Sequence, residues 1–144
     1  MFQGPIYWRV AVGLLISLGA IAQTSDHKKP ELSAIQLAAV NHKIAVLKSP
    51  ADRRVAEGWS NAKKVAELLC RPAALAVLKK QTPGTDRVFL GTDDPSTLAL
   101  ENNRRLTGSG EFRTPKGWQD FTFTCELDPE TGKVTNFQPV LSSK

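Results

Sequence analysis

A chain of 144 residues, 41% hydrophobic and 23% charged, has room for one domain with one core. Its formal net charge of +5 is spread along the sequence, which favours solubility and weak attraction to anionic surfaces without specifying a fold. Two histidines and two cysteines are too few for a histidine metal cluster or a four-ligand zinc site, and a His-dependent triad has little to draw on.

The first element in chain order is a leader. Met1 to Arg9 ends in a positive charge, Val10 to Ile21 is apolar, and Ala20-Ile21-Ala22 offers small residues ahead of the polar stretch Gln23 to Lys29. This order of basic, apolar and small-residue segments predicts a secretory signal peptide over residues 1–22, with cleavage beside Gln23. The alternative is a retained membrane anchor, but a spanning helix wants about 20 apolar residues and this run is shorter and broken by Gly13, Ser17 and Gly19. No cysteine follows Ala22, so a lipid-modified cysteine is not available there. The address expected is periplasmic or secreted. The partner expected there is an envelope protein or an anionic polymer, not nucleic acid, with membrane contact only through an uncleaved leader.

Residues 23–57 read as a tether followed by an amphipathic helix, and residues 58–144 as an α+β domain. Glu31 to Lys48 carries Leu37, Val40, Ile44 and Leu47 at helical spacing, widened by Leu32, Ile35 and Ala39, and Ser49-Pro50 ends it. Ser60 reads as the N-cap of a helix through Asn61 to Cys70. Pro72 makes Arg71 a kink or a cap before a second helix through Ala73, Leu75, Val77 and Leu78 to Lys79-Lys80. Pro83-Gly84 stops it. Cys70 falls in phase with Ala66, Ala73 and Val77, pointing it into the core.

After Gly84 the period changes to alternation. Arg87 to Leu90 reads as a short strand, and Thr97 to Asn103 is ambiguous because Asp94-Pro95 can open a helical turn. From Arg104 to Arg113, Leu106, Gly108, Gly110 and Phe112 share one face while Arg105, Thr107, Ser109, Glu111 and Arg113 share the other. Thr114 to Gly117 is a hairpin turn. Trp118 to Leu127 returns with Phe121, Phe123, Cys125 and Leu127 inward, and Asp128 to Gly132 turns into Lys133 to Val140. Gly108 and Gly110 let a helix approach the sheet or relieve strain at a bulge.

The fold class expected is therefore α+β, with N-terminal helices packed on an antiparallel sheet of three to four strands. An even cysteine count in an oxidising compartment predicts one disulfide, Cys70 to Cys125, from helix to sheet. A two-ligand metal site or two inert thiols are the other readings of the pair.

Chemical motifs are sparse. Gly108-Ser109-Gly110 lacks the spacing of a nucleophile elbow, and no segment matches a dinucleotide fingerprint or a P-loop. Asp93-Asp94 and Asp128 to Glu130 read as turn chemistry. No catalytic residue, metal ligand or cofactor is assigned, and the module is expected not to be an enzyme. The binding candidates are Arg104, Arg105, Arg113, Lys116 and Trp118 on the outer hairpin face, because arginine forks onto carboxylate or phosphate and tryptophan offers stacking area. The competing description is a solvated face whose arginines are answered by Glu111, Asp120 and Glu126. Other functions to weigh are an envelope hydrolase using Asp or Glu, and an inhibitor inserting loops Gly91 to Pro95 and Thr114 to Gly117 into a partner enzyme.

The segment from Trp59 to Phe137 contains WSNAKKVAELLCRPAAL, PGTDRVFLGTDDPSTL and NRRLTGSGEFRTPKGWQDFTFTCELDPETGKVTNF. It resembles a domain-of-unknown-function family of small exported alphaproteobacterial proteins. The resemblance rests most on the helix cysteine before Arg71-Pro72 and on the strand W-x-x-F-x-F-x-C-x-L-x-P with its G-K-V turn. It implies export and a paired cysteine, and it carries no activity, cofactor or catalytic residue.

Overall fold

The computed structural model describes residues 32–92 and 94–143, so the predicted signal peptide and tether lie outside the described residues. Helix α1 (Ala34–Ala45) starts at a capping box: Ser33 Oγ accepts from Gln36 N–H at 3.1 Å, and Gln36 Oε1 accepts from Ser33 N–H at 2.9 Å. The same two side chains pin the helix to the sheet. Ser33 Oγ donates to Pro129 O at 2.6 Å and Gln36 Nε2 to Asn103 O at 2.7 Å, which satisfies the fully buried amide. The core-facing stripe runs through Gln36, Val40 and Ile44, while Leu37, expected inside, is 44% exposed. The helix start docks through these two polar side chains because each supplies a donor to a turn carbonyl above it.

Helix α1 is shorter than expected, and Ser49-Pro50 opens a second helix as well as separating it from the first. In α2 (Pro50–Glu57), Ser49 Oγ accepts from Asp52 N–H at 3.3 Å and proline occupies the first turn, where its missing N–H costs nothing. The Arg53 guanidinium donates to the Leu47 carbonyl and braces the connection. Ala56 is completely buried in the same core as Val40 and Ile44.

The next helical rod carries through the proline. It comprises α3 (Asn61–Val65), capped by Ser60, a π turn at Ala66–Cys70, and α4 (Arg71–Gln81). Pro72 has no N–H for the Leu68 carbonyl and its ring would crowd that oxygen, so the turn opens and Arg71 N–H bonds to Ala66 O instead. Arg71 thus caps the π turn in helical geometry, and the rod continues through it into α4. The wider turn rotates everything after it by about one residue. Ala74 and Leu78 are fully buried where Ala73 and Val77 were expected, and both of those are only partly so.

The sheet is antiparallel with five strands: β1 (Arg87–Leu90), β2 (Leu98–Glu101), β3 (Arg105–Thr114), β4 (Gly117–Asp128) and β5 (Lys133–Leu141). The strand beyond the expected three to four is β2, which follows a single 3-10 turn at Pro95–Thr97, so the ambiguous segment holds both structures. Strands β1 and β2 lie end to end along the same side of β3. Leu90 pairs with Gly110 and Leu98 with Gly108, so the residues between them leave and rejoin the strand opposite one partner, Ser109. That excursion is stitched internally: Thr92 N–H donates to Thr97 Oγ1 at 2.9 Å, and Asp94 Oδ1 caps Ser96 N–H at 2.9 Å.

Beneath the sheet lie Leu106, Phe112, Phe121, Phe123, Cys125 and Phe137, their rings in a chain of contacts 5.4 to 6.1 Å apart. Cys70 and Cys125 form the expected disulfide, with a Cα separation of 6.2 Å and both residues wholly buried. It joins the end of the π turn to the C-terminal third of β4 from inside the core. Gly108 and Gly110 answer a different neighbour from the one anticipated. A Cβ on Gly108 would strike the Thr97 carbonyl at the end of the 3-10 turn and one on Gly110 the Phe89 carbonyl of β1, so the close approach is from the adjoining edge of the sheet and not from the layer of α-helices.

Strand β5 closes the other side of the sheet. Ser142 N–H bonds to Asp120 O, and the antiparallel alternation then turns the backbone of Phe137, Pro139 and Leu141 toward the open edge. Proline there removes a donor that a second strand would use, a common defence of an edge. Pro139→Val is expected to raise concentration-dependent self-association, read by sedimentation velocity against the parent chain. Identical sedimentation of both would show that the proline does not guard the edge.

Candidate functional site

Strand β3 carries Arg105 and Arg113 outward at opposite ends, about 27 Å apart at the rise of an extended strand. The five expected binding residues therefore fall into two separate groups. At one end Arg105 Nε bonds Glu126 Oε1 at 3.0 Å, with Glu101 at 4.0 Å, and Arg104 sits in the turn where its carbonyl accepts from Leu127 N–H. This is the anticipated cross-strand neutralisation, and surface pairs of this kind contribute little.

The other end gathers Arg113, Trp118 and, at the tip of the turn, Lys116. Arg113 forks onto Asp86, Nε to Oδ1 at 2.9 Å and NH2 to Oδ2 at 2.6 Å, while its Cζ lies 5.8 Å from the centre of the Trp118 ring. Trp118 in turn stacks on Phe89 at 5.5 Å with the planes 20° apart. Both rings remain open to solvent, 44% for Trp118 and 37% for Phe89. Sequence reasoning answered the arginines with Glu111, Asp120 and Glu126, not with Asp86, and left Phe89 out. The signal for Phe89 was present in the alternation of β1, which buries Val88 and Leu90 and must turn Phe89 outward.

Phe89 also borders a groove of about 480 Å3, lined by Val55, Trp59, Leu68 and the ladder Lys63-Glu67-Arg71. Glu67 holds both cations, each at 2.9 Å. Trp59, partly buried against the core, further borders a concavity walled by Thr92 and Pro95. This part was missed because α2, which carries Val55, was not foreseen. No family model, curated protein or solved structure matches this chain.

The carboxylates bear on the hydrolase alternative. Glu111 and Asp120 stand directly opposite each other on β3 and β4, both exposed, beside a polar cleft with Ser109, Thr122 and Ser142. Glu126 is engaged by Arg105. Asp128 accepts from Glu130 N–H at 2.8 Å, and this bond holds its carboxyl below the ordinary value of 3.8. Asp94 is lowered likewise by the Ser96 N–H, and Asp86 by its hydrogen bonds from Arg113. Among the described residues there is no cluster of three or more metal-ligating side chains.

The Asp86 shift makes a titration testable. Its folded value lies below the unfolded one, so the stabilisation it brings is present above the unfolded value and disappears as pH falls through the folded value. Carboxyl-carbon NMR is expected to place the Asp86 midpoint below 3.8, moving up in Arg113→Ala. A midpoint unchanged by that substitution would show that the arginine does not hold it.

Proposed function

We propose that the protein is an exported, periplasmic binding or structural module, non-enzymatic and stabilised by its disulfide, that contacts an envelope partner through the corner formed by Phe89, Arg113 and Trp118. The observation that carries this is the pair of stacked, solvent-open aromatic rings held in place by a bidentate ion pair. Exposed aromatics cost hydration and are enriched where proteins meet partners. The Arg113 to Asp86 fork fixes the arginine in front of the indole and leaves Arg87 and Lys116 as nearby cations, which suits an envelope protein or an anionic polymer with some apolar surface.

Export is supported by the character of residues 1–22 and by a buried disulfide, a bond that persists in oxidising compartments. No helix among the described residues is long and apolar enough to cross a membrane. The test is a photo-crosslinking residue at Trp118 in living cells, with one at Thr122 on the same sheet face as the control. A discrete adduct at Trp118 alone supports the reading, together with release of the disulfide-bonded protein by osmotic shock. Equal labelling at both positions, or retention with reduced cysteines in the cytosol, overturns it.

A further inference from the structure

Helix α1 is apolar on two sides. One side, Val40 and Ile44 with Gln36, enters the core; the opposite side presents Ala34, Ala38, Ala45 and, at the C-cap, Val46 to solvent, with Ile35 half exposed beside the Gly132 turn. Ile35 is 49% exposed and Val46 63%. An exposed helix face ordinarily carries charges of both signs, and this one carries only His42 and Asn41 with Lys43 at its flank. From Leu32 to Ala51 the sequence holds no acidic residue, while Lys43 and Lys48 are exposed and Lys28 and Lys29 precede the helix.

We propose that this outer face of α1 docks in the headgroup region of an anionic lipid bilayer, with the flanking lysines on lipid phosphates and Ile35, Ala38 and Val46 against the acyl boundary. A second copy of the chain is a poorer occupant. Twelve residues make a strip about 18 Å long, far short of the roughly 800 Å2 per partner of a stable dimer. A lipid surface asks for less, because a shallow apolar face and a few cations act together and each lysine adds to attraction by an anionic leaflet. The proposal stands apart from the Phe89 and Trp118 corner, which lies on the sheet, and neither depends on the other.

The test uses the chain from Gln23 to Lys144, since every buried side chain among the described residues lies between Gln36 and Phe137 and the leader's own lipid affinity is then absent. It is pelleted with vesicles of phosphatidylcholine alone and with vesicles containing about one third phosphatidylglycerol. Binding is expected only to the second, weakening with salt, and falling about tenfold or more in Ala38→Glu/Val46→Glu. If that variant melts early, the neutral Ala38→Gln/Val46→Gln replaces it, with the same loss expected. Absence of pelleting, equal pelleting with both vesicles, or full binding by a folded double variant overturns the proposal. Self-association of the parent chain that the double variant abolishes, without vesicle binding, assigns the face to a second copy and overturns it too.

Discussion

Cys70→Ser is expected to lower the stability of the domain by about 4 kcal/mol, the value for closing a loop of this length in the chain-entropy account. The two sulfurs join positions separated by 55 residues, and both cysteines are completely buried. The substitution therefore frees the unfolded chain and also leaves a hydroxyl and a thiol facing each other in an apolar core. Typical domains hold about 5 to 15 kcal/mol in total, so the loss corresponds to a fall in melting temperature on the order of 15 °C. Cys70→Ala/Cys125→Ala separates the two contributions, since it removes the polar remnant and keeps the loss of the crosslink. Differential scanning calorimetry reads both, and a Cys70→Ser protein melting within a degree or two of the parent would show the bond to be energetically idle.

Gly108→Ala and Gly110→Ala are expected to cost about 2 to 4 kcal/mol each, the range in which a new atom meets something that cannot yield. At both positions the obstacle is a backbone carbonyl, Thr97 O and Phe89 O, reinforced by the rings of Phe123 and Phe121. A flexible side chain could turn aside, but these oxygens are backbone, Phe89 O in β1 and Thr97 O at the end of the 3-10 turn that leads into β2. Two other glycines serve as controls. Gly58 has helical backbone angles, and its Cβ would sit 3.5 Å from the nearest atom, so Gly58→Ala should be neutral or slightly stabilising. Gly117 has open space around it but a φ of +116°, so alanine there should cost only backbone strain of about 1 to 2 kcal/mol. Urea midpoints for the four variants test the ranking, and equal midpoints for Gly108→Ala and Gly58→Ala would refute it.

The sheet was legible because its alternation is strict: Phe121, Phe123, Cys125 and Leu127 are all inside, and Cys70 to Cys125 follows from their phase and that of the helix. What escaped were features set by single backbone groups. One missing N–H at Pro72 opens a π turn and moves the buried face from Ala73 and Val77 to Ala74 and Leu78, and no hydrophobic pattern announces a one-residue slip. Gln36 was passed over because a buried amide is intelligible only once the Asn103 carbonyl lies above it. Ser49-Pro50 reads as an ending although serine followed by proline is equally a beginning, and with α2 went the Asp52 and Val55 wall of the Trp59 groove.

The candidate site was legible in composition and not in grouping. Arg113 and Trp118 are neighbours by hairpin register, which the turn at Thr114 to Gly117 fixes, but Asp86 reaches Arg113 from the residue before β1. Arg104 and Arg105 belong to the far end because a ten-residue strand is longer than any side chain can bridge.

The interrupted edge of the sheet has an evolutionary and a practical corollary. Since Leu90 and Leu98 face successive alternate partners on β3 with only Ser109 between, the chain from Gly91 to Thr97 occupies the place of one ladder residue. Its length is thereby uncoupled from the pleat: a single residue could splice the two halves into one unbroken ribbon, and a far longer cassette could be hosted at the same slot. Such a segment is free to diversify while everything beneath it stays constant.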